Sequence, residues 1–313
     1  MVEDWFVSEN NKSSQPTTLT PPKVETLEVP VKIETEAKEK GETIVEERSV
    51  EEFEKKIEET SEFIPIERVL KILPMRILVT GKPKVGKSHF SLTAEAPILL
   101  IDTEFSFPAL APKFAHKKIL WAKLIDVNEK TNELDSVLML EKLDRWLTKI
   151  EKMVREGKIK TVVFDSVTSL WKYCQDWLRY EVVRVGGKLN MKGVPADRRD
   201  WWRANSKYEG ILNRLNALGV NVIYTAQAMP EYDERGNLTG KYKPSYQKST
   251  PFLVDMEINL YTRFDNAGKL HYYGVIESCR YPVEGIVGME IENPTFDKIK
   301  KLIMEGIAKY VKG

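Results

Sequence analysis

Short apolar runs alternate with longer amphipathic stretches from about residue 64 to the end of the chain. Met75–Thr80 (MRILVT), Pro97–Asp102 (PILLID), Lys160–Asp165 (KTVVFD) and Val220–Ala226 (VNVIYTA) are continuous apolar runs, the pattern of strands buried on both faces. Lys118–Val127 predicts another strand. Phe252–Arg263 and Lys269–Ser278 predict two more, joined by the turn Asp265-Asn266-Ala267-Gly268. Between these, Leu134–Arg155 has helical spacing through Leu138, Leu140, Leu143, Trp146, Leu147, Ile150 and Val154. Ser88–Ala96, Thr168–Val185, Asp200–Leu218 and Ile299–Tyr310 also predict helices. Strand–helix alternation of this kind predicts an α/β fold with a mostly parallel central sheet covered on both faces.

The pattern stops short of the N-terminus. Residues 8–62 are rich in Ser, Thr, Pro, Glu and Lys, too polar to repay the entropy of ordering. Residues 1–62 are therefore expected to form an acidic, largely disordered tail, and residues 63–313 one folded domain. Two apolar features break the tail. Val50–Phe63 predicts a short amphipathic helix through Val50, Phe53 and Ile57. Trp5-Phe6-Val7, within residues 4–7, predicts a docking segment for a partner, a neighbouring subunit or the chain's own body.

Composition adds limits. The 313 residues are 42% hydrophobic, enough for one large domain or two small ones. Cys174 and Cys279 are the only cysteines, so no disulfide framework is inferred and a reducing compartment is expected. The 30% of charged residues resembles the balance in proteins from hot environments. No uninterrupted apolar stretch approaches membrane-spanning length, and the first residues lack the pattern of a signal peptide. A soluble, cytoplasmic protein is expected, with no membrane partner. The net charge of +1 conceals an asymmetry. Residues 1–62 carry 17 Asp/Glu against 8 Lys/Arg, and residues 63–313 carry 30 against 40. A basic body is one that can meet polyanions, although mixed charges also simply solvate a surface.

The chemistry begins at Gly81-Lys82-Pro83-Lys84-Val85-Gly86-Lys87-Ser88, a complete G-x-x-x-x-G-K-[ST] phosphate-binding loop between a predicted strand and a predicted helix. Backbone N–H groups of such a loop face phosphate oxygens, and the helix N-terminus adds partial positive charge. Lys87 is expected to reach the β- and γ-phosphates, and the Ser88 hydroxyl to ligate Mg²⁺. ATP and Mg²⁺ are the expected cofactors. His89 is grouped with the nucleotide-contacting residues; His89, His116 and His271 lie too far apart in sequence to form a metal-ligand spacing.

Three strand ends follow. Asp165 closes an apolar strand and can hold the Mg²⁺ shell or cap the helix after it. Glu104 lies just past the second strand, where a water attacking the γ-phosphate needs a base, and Asp102 is its rival for that role. Gln227 ends the Val220–Ala226 strand, where an amide can hydrogen-bond the γ-phosphate or serve as an ordinary polar strand end.

The order GKPKVGKS, LLIDTE, TVVFDS, NVIYTAQ resembles the RecA/RadA-type ATPase core over roughly residues 65–300, and within it the small RecA-fold ATPases of phages and archaeal mobile elements. The resemblance implies a three-layer RecA-like P-loop NTPase core. It implies Glu104 as the catalytic carboxylate and Gln227 as the residue coupling nucleotide state to a DNA-binding loop. It also implies a homo-oligomer, ring or filament, in which a basic residue completes the neighbour's site; Arg280 at the end of the last strand resembles that element and would act as a catalytic finger.

It further implies two DNA-facing segments. The first contributes Lys192, Arg198, Arg199 and Arg203, beside a Trp201–Trp202 pair that reads better as packing than as a stacking platform. The second follows Gln227 and contributes Lys241, Tyr242, Lys243, Tyr246 and Lys248. There lysines neutralise phosphates and tyrosines stack on single-stranded bases, unless the segment is a simple hairpin. The expected activity is DNA-stimulated, Mg²⁺-dependent ATP hydrolysis in recombination, annealing, repair or replication. The alternatives are a nucleotide-gated assembly or loading factor without significant catalysis, and a hexameric helicase or packaging motor.

Overall fold

The buried apolar runs do form one sheet. In a computed structural model that describes residues 73–129 and 131–312, ten strands and five α-helices are present among the described residues. The tail at 1–62, its docking segment and the helix expected at 50–63 lie outside the described residues.

Strands β1 (Arg76–Gly81), β2 (Ile98–Asp102), β3 (Ile119–Lys123), β4 (Thr161–Asp165) and β5 (Asn221–Thr225) run parallel. With β8 (Met256–Phe264), β9 (Leu270–Cys279) and β10 (Glu290–Glu292) they make an eight-stranded sheet of order β10-β9-β8-β1-β5-β4-β2-β3. Only β9 runs against the rest. Every residue of β2, β4 and β5 is buried, as their unbroken apolar runs require. At the edge of the sheet, β3 is shorter than the expected Lys118–Val127 and half-exposed, because among the described residues no strand pairs with its outer side.

Helices α1 (Lys87–Leu92), α2 (Ser136–Arg155), α3 (Val167–Arg184), α4 (Trp201–Asn216) and α5 (Phe296–Lys312) supply the outer layers. Alternate side chains of each strand point to opposite faces. One core joins Leu78, Ile101, Phe164 and Tyr224 to α2, α3 and α4. The other joins Val79, Leu100, Val163 and Ile258 to α1 and α5. Each fully buried side chain of this size contributes about 1.5–3 kcal/mol. The result is a three-layer P-loop α/β core with a mostly parallel central sheet covered on both faces, as the sequence predicted.

Two further elements depart from the leading expectation. Helix α1 ends at Leu92 rather than Ala96, where Thr93 donates its hydroxyl to the Phe90 carbonyl and accepts from the Phe296 N–H. The segment after Gln227 is a hairpin of β6 (Ala228–Tyr232) and β7 (Leu238–Pro244) outside the main sheet. Its turn is closed by the Asp233 carboxylate, which accepts the Arg235 and Asn237 N–H groups.

Candidate functional site

The C-terminal ends of parallel strands gather at one edge, and β1 leaves that edge through the phosphate loop. Gly81 has φ 144°, and a Cβ there would lie 2.4 Å from the Leu260 carbonyl oxygen, so only glycine fits. Gly86, at φ 99°, turns the chain into α1. Lys87 folds over the loop and donates to the carbonyls of Gly81 at 2.9 Å and Lys82 at 2.8 Å. Burial lowers its pKa, against the opposing pull of Asp165 and Glu104.

Ser88 donates to Asp165 Oδ2 at 2.6 Å. Thr225, paired with Asp165 across β4 and β5, donates to Oδ1. Burial raises the Asp165 pKa despite these two hydroxyl bonds, with Glu104 and Asp102 adding repulsion. A bound cation would offset that burial. A hydroxyl and a carboxylate oxygen converging at one point are hard donors of the kind Mg²⁺ prefers, so the residues fit the ion. The helix-capping alternative for Asp165 falls to its neighbour: the Ser166 side chain accepts from Ser169 N–H at the start of α3.

Glu104 lies beyond the end of β2, exposed at the same edge. Its Oε1 accepts from Ser166 Oγ at 2.6 Å, Gln227 Nε2 at 2.6 Å and Ser169 Oγ at 3.3 Å. Asp102 is removed as its rival. The Asp102 side chain is fully buried and accepts from the N–H groups of Glu104, Ser106 and Phe107 and from the Trp121 indole, which makes it a structural anchor.

Gln227 joins the site to the hairpin. Its N–H donates to Thr168 Oγ1 at 2.9 Å, and its carbonyl accepts from Ser245 N–H at 2.8 Å. The hairpin also touches the phosphate loop: the Lys82 amine lies 4.0 Å from the Tyr242 ring centroid. Tyr242 is thus engaged within the chain. Tyr246, expected to stack on bases, is half-buried against the core and donates to Glu257 at 3.1 Å. Lys241, Lys243 and Lys248 are exposed.

In the other segment Lys192 and Arg198 are exposed. Arg199 pairs with Asp197 at 2.7 Å, and Arg203 lies 3.9 Å from Asp200 and over the Trp202 ring. Trp201 packs on the core while Trp202 is exposed, so the expected packing pair is split.

Arg280 lies at the opposite edge. It follows Cys279, which pairs with Met256 at the start of β8, and its side chain donates to Asp255 and to the Phe252 carbonyl, each at 3.1 Å. It has no part in the nucleotide edge of its own chain.

A cavity of about 490 Å³ opens beside the loop, lined by Lys84, Gly86, His89, Phe90, Leu260 and Tyr272. Burial and nearby Lys113 lower the His89 pKa, which favours the neutral imidazole. Sequence reasoning missed Thr225, Ser166, Thr168, Trp121 and Tyr272. Thr225 was within reach, since TVVFD and NVIYT end side by side once β4 and β5 are paired. The others depend on folding that places distant residues together.

A phosphate loop, a hydroxyl–carboxylate pair at the next strand ends and a carboxylate beyond β2 together make the site of a P-loop ATPase. Residues 73–279 match the family described as an AAA domain, and the chain belongs to that family. No curated protein matches it. Among solved structures it is similar to a KaiC-like protein from the hyperthermophilic archaeon Pyrococcus horikoshii OT3. The identity is 18%, over 70% of this chain and 84% of that chain, with a TM-score of 0.40. Among the described residues no helix is long and apolar enough to cross a membrane.

Proposed function

We propose that this chain is a cytoplasmic, Mg²⁺-dependent ATPase that couples hydrolysis to binding of single-stranded DNA, in recombination, annealing, repair or replication. The observation that carries the proposal is the Gln227–Glu104 hydrogen bond of 2.6 Å, because Gln227 is also the residue from which the β6–β7 hairpin departs. In this reading the loop binds the triphosphate and Lys87 leaves its two carbonyls for the β- and γ-phosphates. The cavity beside His89 and Tyr272 takes the nucleoside. Ser88 and Asp165 would hold Mg²⁺, which offsets negative charge on the phosphates. Glu104 accepts a proton from the attacking water through Oε2, which takes no hydrogen bond among the described residues. Gln227 exchanges Glu104 for the γ-phosphate, and the hairpin responds.

DNA contact in this proposal falls to Lys241, Lys243 and Lys248 on one side and Lys192, Arg198, Arg199 and Arg203 on the other. Arg280 serves the site of a neighbouring copy in a ring or filament. The kinship proposed is with the small RecA-fold ATPases of phages and archaeal mobile elements. The tail is proposed to dock a protein partner or another subunit.

The test is the ATP hydrolysis rate with and without single-stranded DNA over a range of salt. Stimulation that declines steeply with salt is expected. Equal rates and no DNA binding at low salt would remove the DNA role. Mixing Lys87→Ala with Arg280→Ala protein should restore part of the activity if sites are shared between subunits.

A second reading, a nucleotide-gated assembly factor, is favoured by the engagement of Tyr242 with Lys82 and of Tyr246 with Glu257. That leaves the lysines of the hairpin segment to meet a polyanion without stacking. ATP-dependent oligomerisation unaffected by Glu104→Gln would support it.

A further inference from the structure

We propose that Trp121 is a positioning residue for Glu104, an indole on the open edge of the sheet that holds the turn presenting the carboxylate. The proposal rests on the hydrolytic reading of Glu104 above.

Glu104 belongs to no strand or helix. Strand β2 ends at Asp102, and the chain turns through 103–106 before a short 3-10 turn at Phe107–Ala109. The turn is organised by the buried Asp102 carboxylate. Its Oδ1 accepts the Glu104 N–H at 3.0 Å and the Ser106 N–H at 3.2 Å, and its Oδ2 accepts the Phe107 N–H at 3.1 Å. These three donors are parts of the turn itself. The fourth is the Trp121 indole N–H, 3.1 Å from Oδ2, contributed by the neighbouring strand β3. That bond fixes the rotation of the carboxylate about which the turn is built.

The indole face works on the same turn. Phe105, the residue after Glu104, has φ 56°, a left-handed conformation that a residue with a Cβ keeps only when its surroundings hold it. The Phe105 ring centroid lies 5.5 Å from that of Trp121, and Phe107 lies 5.8 Å from Trp121 on the same cluster. The Lys123 amine covers Phe105 at 4.5 Å. One side chain therefore grips both the carboxylate at the start of the turn and the aromatic rings at its far side.

The position has no other evident need for tryptophan. Trp121 is on the last strand of the sheet and is 40% exposed, and Phe105 beside it is 49% exposed. A core role would bury the ring, whereas this one is spent on the Glu104 turn. The consequence is kinetic, because a base misplaced by about 1 Å loses on the order of 10²-fold in rate.

The test uses the full-length protein with Trp121→Phe, which keeps an aromatic ring and removes the N–H, and Trp121→Ala, which removes both. The expected result for Trp121→Phe is a kcat reduced roughly tenfold or more, with KM for ATP and affinity for a non-hydrolysable analogue retained and a Tm lower by only a few degrees. Trp121→Ala should lose more. Amide hydrogen exchange at Glu104, Ser106 and Phe107 should accelerate in both variants while exchange at the phosphate loop stays the same. In a Glu104→Gln background, Trp121→Phe should cause no further loss of rate. An unchanged kcat, unchanged exchange in the turn, or a parallel fall in nucleotide affinity and Tm would each overturn the proposal. Exchange is read without turnover, so absence of hydrolysis by the wild type would overturn the hydrolytic reading separately.

Discussion

The side-chain amide of Gln227 donates to Glu104 Oε1 at 2.6 Å, joining residues 123 positions apart. The same carboxylate oxygen accepts from Ser166 and Ser169 at the start of α3, so three elements meet at one atom. Gln227→Glu places a second carboxylate at hydrogen-bond distance from the first. Like charges raise the pKa of one member of such a pair. The pair then retains one proton to higher pH, and the acid limb of the pH–rate profile should move upward. Gln227→Ala should move that limb the same way but less, since it deletes one neutral donor to the ionised carboxylate, and should keep ATP affinity within about twofold. Rate profiles of the two variants check both expectations.

Asp165 carries a conflict between stability and function. Burial raises its pKa above the usual carboxylate value, so the folded chain takes up a proton at higher pH than the unfolded chain does. The ionised group therefore costs stability, and that cost sets in as pH rises from the unfolded value through the folded one. Asp165→Asn should raise the Tm of the nucleotide-free protein, at about 2–4 °C per kcal/mol for a domain of this size. It should also abolish the further rise that Mg²⁺ and an ATP analogue give the wild type. Thermal denaturation with and without the ligands measures both effects.

The hairpin is held to the phosphate loop by Lys82 over the Tyr242 ring at 4.0 Å. An exposed cation–π contact contributes about 0.5–1 kcal/mol, small against global stability. Lys82→Ala should therefore leave Tm nearly unchanged. It should speed limited proteolysis at Arg235, Lys241 and Lys243, which lie on the hairpin or its turn. Cleavage time courses at matched protease concentration give the answer.

His271 bridges two carboxylates, with Nδ1 2.8 Å from Glu292 and Nε2 3.0 Å from Asp265. Both acceptors raise its pKa above 6.5. A neutral imidazole has one N–H and can satisfy only one of them. The bridge is fully present below the unfolded-state pKa and is lost as pH rises through the folded-state value. The Tm difference between wild type and His271→Gln should be largest near pH 6 and should shrink toward pH 9.

The fold was legible because buried parallel strands leave unbroken apolar runs, and each one expected in MRILVT, PILLID, KTVVFD and VNVIYTA is present. The phosphate loop was legible because its glycines are fixed by geometry, as the close approach of Gly81 to Leu260 shows. Helix α1 was overrun because Thr93 stops it by bonding to α5, more than 200 residues away. The hairpin is faint in the sequence because β7 is exposed along its whole length and carries no apolar alternation, which leaves only the turn residues to signal it. The engagement of Tyr246 is invisible in the sequence because Glu257 reaches it only through the fold. Asp102 and Glu104 competed for one role in the sequence, and the donors around Asp102 separate them.

The central claim is that Glu104 is the hydrolytic carboxylate of a site whose nucleotide is held by Lys87, Ser88 and Asp165. Single-turnover ATP hydrolysis by Glu104→Gln, measured alongside ATP affinity, tests it most directly. Loss of a general base predicts a rate lower by about 10²–10⁴ with affinity retained, whereas Lys87→Ala should lose affinity as well. Hydrolysis by Glu104→Gln at the wild-type rate would contradict the account.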